Sequence, residues 1–404
     1  MLRMDKSSKT AKLALTFIVL MGVVSMFSDM THESARGIMG AYLSLAGASA
    51  AAIGFVSGLG EMLGYSLRLL SGVLADRTKK YWPLTIAGYI VDVFSVPALA
   101  LVPRGGWIWA CALVIVERTA KAVKKPAKDT LLSFAAAQNG VGKSFAIQEF
   151  LDQLGAFLGP TLLFVVLYFR RGDDVFASYS LCFAVLAVPA FLTMALLLAA
   201  RKYFPNPENF EPEPPKGAAK MRLDGSFMFY TIAISCFAFG FADFTLITMH
   251  AARSGLFQTD ELPLIYAGAM AVDAVAALVF GWLYDKYGLA VLMLSSLLAA
   301  PFAFFAFGVT AKWAMLLGAA LWGVGMGAQE SILKAAVTSI VPKQNRSSGF
   351  GISQTAFGIA WFLGSWLMGA LYDASMSWMI TVSVAAQLAA VPFFWLSARK
   401  FKKA

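Results

Sequence analysis

Charged residues are scarce in this chain of 404 residues, since only 14% are Asp, Glu, Lys or Arg, whereas 59% are hydrophobic. A soluble domain carries roughly 25% charged residues, so this deficit argues against an ordinary globular protein. Three cysteines and two histidines are too few and too widely spaced for a disulfide framework or a zinc motif. The sequence also lacks a Gly-rich phosphate loop and a nucleophile elbow. We therefore expect neither an enzyme nor a bound cofactor.

Long apolar runs make up most of the chain. A helix needs roughly 20 apolar residues to cross a bilayer, and runs of at least about that length occur twelve times. The sequence therefore predicts an all-α polytopic membrane protein with twelve transmembrane helices in two six-helix halves. The predicted spans are 13–37, 48–71, 83–102, 107–134, 143–170, 176–200, 225–252, 261–283, 289–310, 312–339, 346–372 and 376–398.

The one long break between spans contains five prolines among charged residues, which is typical of a linker. We expect an N-terminal bundle at 1–200, a cytoplasmic linker at 201–224 and a C-terminal bundle at 225–404.

The net charge of +10 does not indicate nucleic-acid binding, because the basic residues cluster in alternate loops. The N-terminus, the linker and the C-terminal tail are the most basic segments and lie on one side of the predicted membrane. The positive-inside rule places this side, with both termini, in the cytoplasm. Compact loops without a large external domain are consistent with a bacterial inner membrane protein, and we expect a monomer.

The two halves repeat each other in sequence, as in many transporters. Phe27-Ser28-Asp29-Met30-Thr31 in the first span recurs as Phe241-Ala242-Asp243-Phe244-Thr245 in the seventh. The segment from Gly72 to Arg77 after the second span recurs as the segment from Gly281 to Lys286 after the eighth. Phe157-Leu158-Gly159-Pro160 in the fifth span recurs as Phe362-Leu363-Gly364-Ser365 in the eleventh, and the same offset places Lys125 over Glu330 and Asp129 over Lys334. Four matches in the same order are improbable by chance.

The segment Gly72-Val-Leu-Ala-Asp76-Arg77-Thr-Lys79-Lys80, together with twelve spans and a central linker, resembles the major facilitator superfamily. The resemblance covers essentially the whole chain and implies two pseudo-symmetric halves and secondary transport. In that family this loop helps to gate the cytoplasmic side. Lys79 occupies the position of the motif's second glycine, so the turn is expected to differ. The gating residues implied or inferred are Gly72, Asp76, Arg77, Lys80, Lys125, Asp129, Gly281, Asp285 and Lys334.

A second, partial match concerns the direction of transport. Gly155, Gly159 and Pro160 in the fifth span resemble the core of the family's antiporter motif, whereas Leu163 and Phe164 replace its closing glycines. Glycines spaced by four residues also permit ordinary close helix packing. The resemblance therefore favours proton-coupled export only weakly, and proton-driven uptake stays open.

The fourth span combines membrane length with an unusual number of charges. On a helix, Glu117, Lys121, Lys124 and Lys128 share one stripe. A charge that faces lipid costs roughly 3 kcal/mol or more at mid-depth, so the stripe must face protein or water. The alternative is that the lysines merely flank the span on its cytoplasmic side.

Transport by a proton gradient needs carboxylates that bind and release protons inside the bundle. Desolvation favours the neutral form of a carboxyl group, so intramembrane acids are the natural candidates. We expect proton coupling at Asp29, Glu33, Glu117 and Asp243. A permanent salt bridge, for example from Glu33 to Arg36 or Arg118, is the alternative for each.

Polar residues from five spans predict the substrate cavity. Charges of both signs favour a small anionic or zwitterionic solute, with protons as the coupling ion. A second class of function, a non-transporting receptor or scaffold on the same fold, is also open. His32 is either a pH sensor or a hydrogen-bonded structural side chain. The predicted cavity residues are His32, Arg36, Arg118, Lys121, Glu149, Asp152, Gln153, Gln329, Glu330 and Gln354.

Overall fold

The computed structural model describes residues 2–139, 141–210, 225–341 and 346–401, and in this part of the chain it consists of helices and connecting segments without a β-strand. The fourteen α-helices are α1 (Leu2–Leu45), α2 (Ala50–Thr78), α3 (Tyr81–Ala98), α4 (Trp107–Asn139), α5 (Val141–Phe169), α6 (Val175–Val185), α7 (Ala187–Tyr203), α8 (Gly225–Gly240), α9 (Phe244–Ser254), α10 (Leu262–Tyr287), α11 (Val291–Ala299), α12 (Lys312–Ile340), α13 (Arg346–Ala374) and α14 (Met376–Phe401).

These helices form the twelve membrane-crossing units that the sequence predicts, because α6 with α7 and α8 with α9 each make one unit. Among the described residues, ten units are long and apolar enough to cross a bilayer by themselves. The other two are α4 and α12. In α4 the charged stripe lowers the hydropathy, so this helix depends on its protein neighbours to reside in the membrane.

Two predicted continuous spans are broken in the structure. The sixth is divided at Leu186, three residues before Pro189, which lacks an N–H donor and clashes with a preceding carbonyl group. The seventh is interrupted at residues 241–243, and Asp243 caps the second segment. Its carboxylate accepts hydrogen bonds from the Thr245 backbone N–H (3.0 Å) and the Thr245 hydroxyl (2.8 Å). The equivalent Asp29 lies inside the unbroken helix α1.

Among the described residues, the halves meet mainly at three helix pairs: α1 with α9, α2 with α13, and α5 with α10. Small residues allow the closest approaches. A Cβ atom at Gly58 of α2 would lie 2.9 Å from the Cα of Phe362 in α13. Within the first half, a Cβ at Gly159 of α5 would lie 2.9 Å from the Cα of Met30 in α1. The predicted packing glycine Gly155 also faces α1, at Met26.

The helix ends define two faces of the bundle. We call the end at which α1 begins the N-terminal face, and the end at which α1 terminates at Leu45 the distal face. Successive units alternate in direction, so α2, α4, α10 and α12 begin at the distal face. Helices α5 and α13 end at that face, and α8 runs toward it.

Candidate functional site

A cavity of about 670 Å³ lies between the two halves. Transporters with two related halves bind solutes at such an interface, near the middle of the membrane. Glu149, near the end of the cavity closest to the N-terminal face, is exposed to solvent. The lining residues are Asp29, Glu33, Arg36, Tyr65, Arg68, Lys121, Lys125, Pro126, Asp129, Glu149, Asp152, Gln153, Ala156, Tyr266, Met270, Asp273, Ala277, Trp322, Met326, Gln329, Gln354 and Phe357.

Charges of both signs line this cavity, with an excess of acid. Among the described lining residues, six carboxylates face four basic groups. The carboxylates belong to Asp29, Glu33, Asp129, Glu149, Asp152 and Asp273, and the basic groups to Arg36, Arg68, Lys121 and Lys125. Such groups are tolerated at membrane depth where they face water or one another.

Arg36 of α1 links the first half of the molecule to the second. Its Nη2 atom donates a hydrogen bond to Oδ2 of Asp243 at 3.0 Å and lies 3.2 Å from Oε1 of Glu61 in α2. The Arg36 side chain is 9% exposed and that of Asp243 is 2% exposed. A charge pair this well buried is costly to leave half-formed, so loss of either partner should disturb the other.

From Glu61 the charges continue as an unbroken row into the first half. Glu61 accepts a hydrogen bond from Nη1 of Arg118 at 3.0 Å, and Nε of Arg118 lies 3.2 Å from Oε2 of Glu117. Glu117 in turn lies beside His32. The row thus alternates acid and base from the inter-half contact at Asp243 to the interior of the N-terminal bundle.

His32 is buried between two carboxylates. Its Nδ1 atom lies 3.0 Å from Oε1 of Glu117 in α4, and its Nε2 atom lies 3.0 Å from Oδ2 of Asp92 in α3. The three donor groups lie within 4.8 Å of one another, which is close enough for a metal ion. However, the carboxylates approach opposite nitrogens of the ring rather than converging on one, and Lys124 already pairs with the Oδ2 atom of Asp92 that contacts His32. This arrangement fits a proton better than a metal.

Lys124 and Lys128 do not lie on the flank of their helix, because both are buried inside the first half. Lys124 forms an ion pair with Asp92, donates to the Ser28 hydroxyl at 3.0 Å and lies 3.8 Å above the Tyr89 ring. Lys128 donates to the hydroxyl of Ser25 at 2.7 Å. The charged stripe of α4 therefore turns toward α1 and α3, not toward lipid.

Glu33 of α1 contacts residues of both halves. The hydroxyl group of Tyr266 in α10 donates a hydrogen bond to Glu33, and the Lys121 ammonium group lies 3.6 Å from the same carboxylate. All three residues line the large cavity. A solute that competes for Lys121 would therefore also alter a contact across the interface.

A second, small cavity of about 30 Å³ adjoins the row on its distal side. A cavity of at least about 10–15 Å³ can hold one water, so this space is large enough for one or two. His32, Glu117 and Arg118 line it, together with distal residues such as Leu43 and Leu99. Water in this cavity would contact the histidine cluster from the side opposite to the large cavity.

Ionic contacts close the distal face between the halves. Arg253 at the end of α9 donates to the Ser44 hydroxyl at 2.9 Å and lies 3.7 Å from Asp373 at the end of α13. The guanidinium group of Arg171 pairs with Asp260 at 2.6 Å. The hydrogen bonds to Asp260 raise the pKa of Arg171, so its guanidinium group stays charged at any physiological pH.

The second half contributes an amide to the cavity wall. Gln329 is 2% exposed, and neither of its side-chain polar atoms has a hydrogen-bond partner among the described residues. A buried amide without partners loses roughly 1–3 kcal/mol per group, so it is suited to a polar ligand. Gln354, which also lines the cavity, extends this polar patch.

The structure brings together many of the residues predicted for the substrate cavity, for proton coupling and for gating. Asp29, Glu33, Arg36, Lys121, Lys125, Asp129, Glu149, Asp152, Gln153, Gln329 and Gln354 line the large cavity, and Arg118 and Glu117 adjoin it through the charged row. His32 is not a wall of the large cavity; it lies in the cluster behind it and faces the small one.

The predicted gating loops lie away from this centre. A Cβ atom at Gly72 would lie 3.6 Å from the Cβ of Pro126, and Lys80 is exposed at the N-terminal face, as is Arg77. A Cβ at Gly281 would meet no atom within 4 Å. The side chains of Asp76, Asp285, Glu330 and Lys334 lie outside the described part of the structure, as do residues 211–224 of the predicted linker.

Lys79, at the position of the motif's second glycine, alone among the described non-glycine residues has a positive φ, at 54°. It caps α2 in the left-handed conformation, with its N–H bonded to the Ala75 carbonyl. A glycine would adopt this conformation without the steric cost of a Cβ atom.

Sequence reasoning missed several residues of the site. Glu61, Asp92 and Asp273 lie in the second, third and eighth predicted spans, where carboxylates are rare. Intramembrane charges mark candidate functional residues, and this holds for Glu61, Asp92 and Asp273 as it does for Asp29 and Glu117. Tyr266, the partner of Glu33, carries no signal of this kind, since buried tyrosines are common in cores.

Comparisons with known proteins agree with this architecture. The sequence profile of the Major Facilitator Superfamily matches residues 256–404. An uncharacterized protein of Mycobacterium tuberculosis is 38% identical over 394 residues, which cover 95% of this chain and 93% of that protein. An uncharacterized MFS-type transporter of Methanocaldococcus jannaschii is 25% identical over 366 residues, or 89% of each chain.

The same fold occurs among solved structures. The crystal structure of the nucleoside transporter NupG superposes with a TM-score of 0.68, over 96% of this chain and 98% of the other. The two sequences are only 13% identical, so this likeness describes the arrangement of the helices and not the solute.

Proposed function

Because the chain belongs to the major facilitator superfamily of membrane transporters, we propose that it is a proton-coupled secondary active transporter of a small polar solute. The observation that carries this proposal is the charged cavity between the halves, which reaches toward the N-terminal face while ionic contacts close the distal face. Alternating access requires this asymmetry, since the two gates must never be open together.

The orientation of the basic loops makes the N-terminal face cytoplasmic. The conformation of the molecule is then inward-facing, and outward opening requires the contacts of Arg253 and Arg171 to break. The moving bodies are the bundles 1–200 and 225–404, connected by the linker 201–224. We place the protein, as a monomer, in a bacterial inner membrane.

The cavity favours a zwitterionic solute over a simple anion. Six carboxylates against four basic groups give the described lining a net negative charge, which disfavours an uncompensated anion. Lys121 and Arg36 can bind an acidic group of the solute, and the acids near the N-terminal face, such as Asp152, can bind a basic one. Gln329 supplies hydrogen bonds in the second half.

Protons are the coupling ion in this proposal because each candidate carboxylate either faces the cavity or pairs with a basic group. Asp29 and Glu33 face the cavity, Asp243 pairs with Arg36, and Glu117 is shared between Arg118 and His32. Close packing of Gly155 and Gly159 on α1 is compatible with the antiporter-like motif and favours export, with proton-driven uptake as the alternative.

The proposal is tested by a thermal-shift screen of the purified protein against polar solutes, followed by counterflow of each stabilising solute in proteoliposomes. We expect at least one zwitterionic solute to exchange, and Lys121→Gln to reduce exchange by about tenfold or more, as for loss of one charged contact. Arg170→Gln is the control, since Arg170 pairs with the exposed Asp173 outside the cavity. A folded protein that exchanges no solute from a broad panel would instead favour a receptor or scaffold.

A further inference from the structure

The histidine cluster in the first half suggests where the coupling proton is bound. We propose that His32, Asp92 and Glu117 together hold one exchangeable proton, and that its presence controls the Arg36–Asp243 contact between the halves. This inference deepens the proposed transport function by naming the proton site. It rests on three observations: the geometry around His32, the charge balance of the row, and the small cavity beside it.

The distances around His32 favour a bound proton, and the contact of Nε2 with Asp92 has hydrogen-bond geometry. Each ring nitrogen of His32 lies 3.0 Å from a carboxylate oxygen, Glu117 on one side and Asp92 on the other. A neutral imidazole has one N–H donor and one acceptor nitrogen. The acceptor nitrogen would then face a carboxylate oxygen at 3.0 Å with no proton between them, which is repulsive. One additional proton on the ring makes both nitrogens donors and removes this repulsion.

The charge balance of the row leads to the same conclusion. Four carboxylates face three permanently basic groups along it. The acids belong to Asp243, Glu61, Glu117 and Asp92, and the basic groups to Arg36, Arg118 and Lys124. A protonated His32 makes the row neutral. A buried uncompensated charge is expensive, so the row favours the bound proton while it remains closed.

Other charged groups near the cluster do not change this balance. Lys121, one helical turn after Glu117, is already paired with Glu33, and Asp29 lies on the cavity side of Lys121. Tyr89 on α3 contributes its ring to Lys124 and its hydroxyl to Ser25. The groups that face His32 directly from α3 and α4 are therefore the two carboxylates.

The small cavity gives the proton a route that is separate from the solute. Water there would contact the His32 and Glu117 side of the cluster, toward the distal face, and the large cavity lies on the other side of Arg118 and Lys121. A proton from this water binds the ring as an N–H. When the halves move and the cluster is hydrated from the N-terminal face, the same bond releases the proton to water.

Loss of the proton changes the competition for the arginines. The row then carries one excess negative charge, and Glu117 attracts Arg118 more strongly. Glu61 contacts both Arg118 and Arg36, so it then relies more on Arg36 to compensate its negative charge. Arg36 is thereby drawn from Asp243, and the contact between the halves weakens. Proton binding and domain movement are linked by this exchange of partners.

The charge state of His32 can be measured directly because the chain has only one other histidine, His250. Full-length His250→Asn protein, labelled with ¹⁵N-histidine and reconstituted in lipid nanodiscs, gives ring signals from His32 alone. At pH 7, near which an isolated imidazole is mostly neutral, we expect both ring nitrogens to be protonated. In Glu117→Gln and in Asp92→Asn we expect one nitrogen to lose its proton, whereas the exposed control Asp173→Asn leaves the signals unchanged.

Three results would overturn the proposal. The first is a neutral His32 ring in the His250→Asn protein. This result does not depend on whether any further variant folds. The second is an imidazolium that persists in both carboxylate variants. The third is a change of the ring signals on addition of Zn²⁺ alone, which would identify the cluster as a metal site.

A transport measurement separates this inference from the proposed function. With a solute found by the counterflow screen, we expect His32→Asn to lower the ratio of proton-driven accumulation to exchange by about tenfold or more, since only the driven process needs the proton. Undiminished accumulation in His32→Asn contradicts the proton site while leaving transport intact. Absence of any transport by the unmodified protein contradicts the proposed function, and the ring measurement then decides the proton site by itself.

Discussion

Arg36 of α1 and Asp243, at the break between α8 and α9, form a buried pair at 3.0 Å that joins the two halves of the molecule. The pair depends on an irregularity of the second half, since the break in the seventh unit exposes Asp243 as a helix cap. The carboxylate thus stabilises a helix terminus and an arginine from the other half at the same time.

Removing the charge of this pair should stop transport before it prevents folding. In Asp243→Asn the amide oxygen can still accept the Thr245 N–H and cap α9, but Arg36 loses one of its two carboxylate partners and keeps only Glu61. We expect counterflow to fall by about tenfold or more, because the charged contact between the halves is lost. The exposed pair of Arg170 and Asp173 provides the control, because surface pairs contribute roughly 0–1 kcal/mol. Normal counterflow in Asp243→Asn would show that the contact is structural only.

Close contact between α1 and α9 should be essential for closing the distal face. A Cβ atom at Gly40 would lie 2.5 Å from Oγ1 of Thr248 and closer still to a backbone carbonyl. Gly40→Ala should therefore destabilise the closed state by about 1–3 kcal/mol, as overpacking does. Gly64→Ala is the matched control, since no atom lies within 4 Å of its Cβ position and alanine favours a helix. Equal melting temperatures of the two variants would contradict this account.

The distal contacts of Asp373 should control opening of that face. Asp373 accepts from the Ala51 backbone N–H at 3.2 Å and pairs with Arg253, so Asp373→Ala removes two contacts at this face. Spin labels at Leu101 and Gln258, one in each half, report the separation by double electron–electron resonance. We expect a longer-distance population to grow in Asp373→Ala. A distribution identical to that of the unmodified protein would show that other contacts hold the face closed.

The turn after α2 predicts a stabilising substitution. Lys79 has a φ of 54°, which costs a non-glycine residue roughly 1–2 kcal/mol. Lys79→Gly should remove this cost and raise the melting temperature, whereas the neighbouring Lys80→Gly, where φ is −92°, should not. A lower melting temperature for Lys79→Gly would mean that the lysine side chain contributes more than the backbone strain costs.

The charge pairs predicted for the cytoplasmic gate can be tested by reversal. Asp129 lies on the cavity wall in α4, and sequence repetition relates it to Lys334 in α12. We expect Asp129→Lys and Lys334→Asp each to abolish counterflow, and the double variant to restore it. Failure of rescue, with all three proteins expressed and folded, would exclude direct pairing.

The sequence was sufficient for the fold and for part of the site. The apolar runs and the repeated loop motif predicted twelve crossing units, which the structure and the family assignment confirm. The break before Asp243 was not predictable, because the residues around it are as apolar as an unbroken span. The contact of Asp243 with Arg36 is a tertiary one that no local pattern records.

The charged row shows a different limit. Intramembrane charges mark candidate residues, but pairing depends on how helices are rotated against one another. Lys124 could flank a span or turn inward, and only packing of α4 against α3 decides that it meets Asp92. For the same reason His32, expected in the substrate cavity, lies behind it between two carboxylates.

Movement of protons coupled to a solute tests the central claim most directly. Purified protein is reconstituted in liposomes containing a pH-sensitive dye, and a zwitterionic solute from the binding screen is added outside. The account predicts a change of internal pH that requires the solute and disappears in Asp243→Asn. A solute that exchanges freely without moving protons, at any imposed pH gradient, would contradict it.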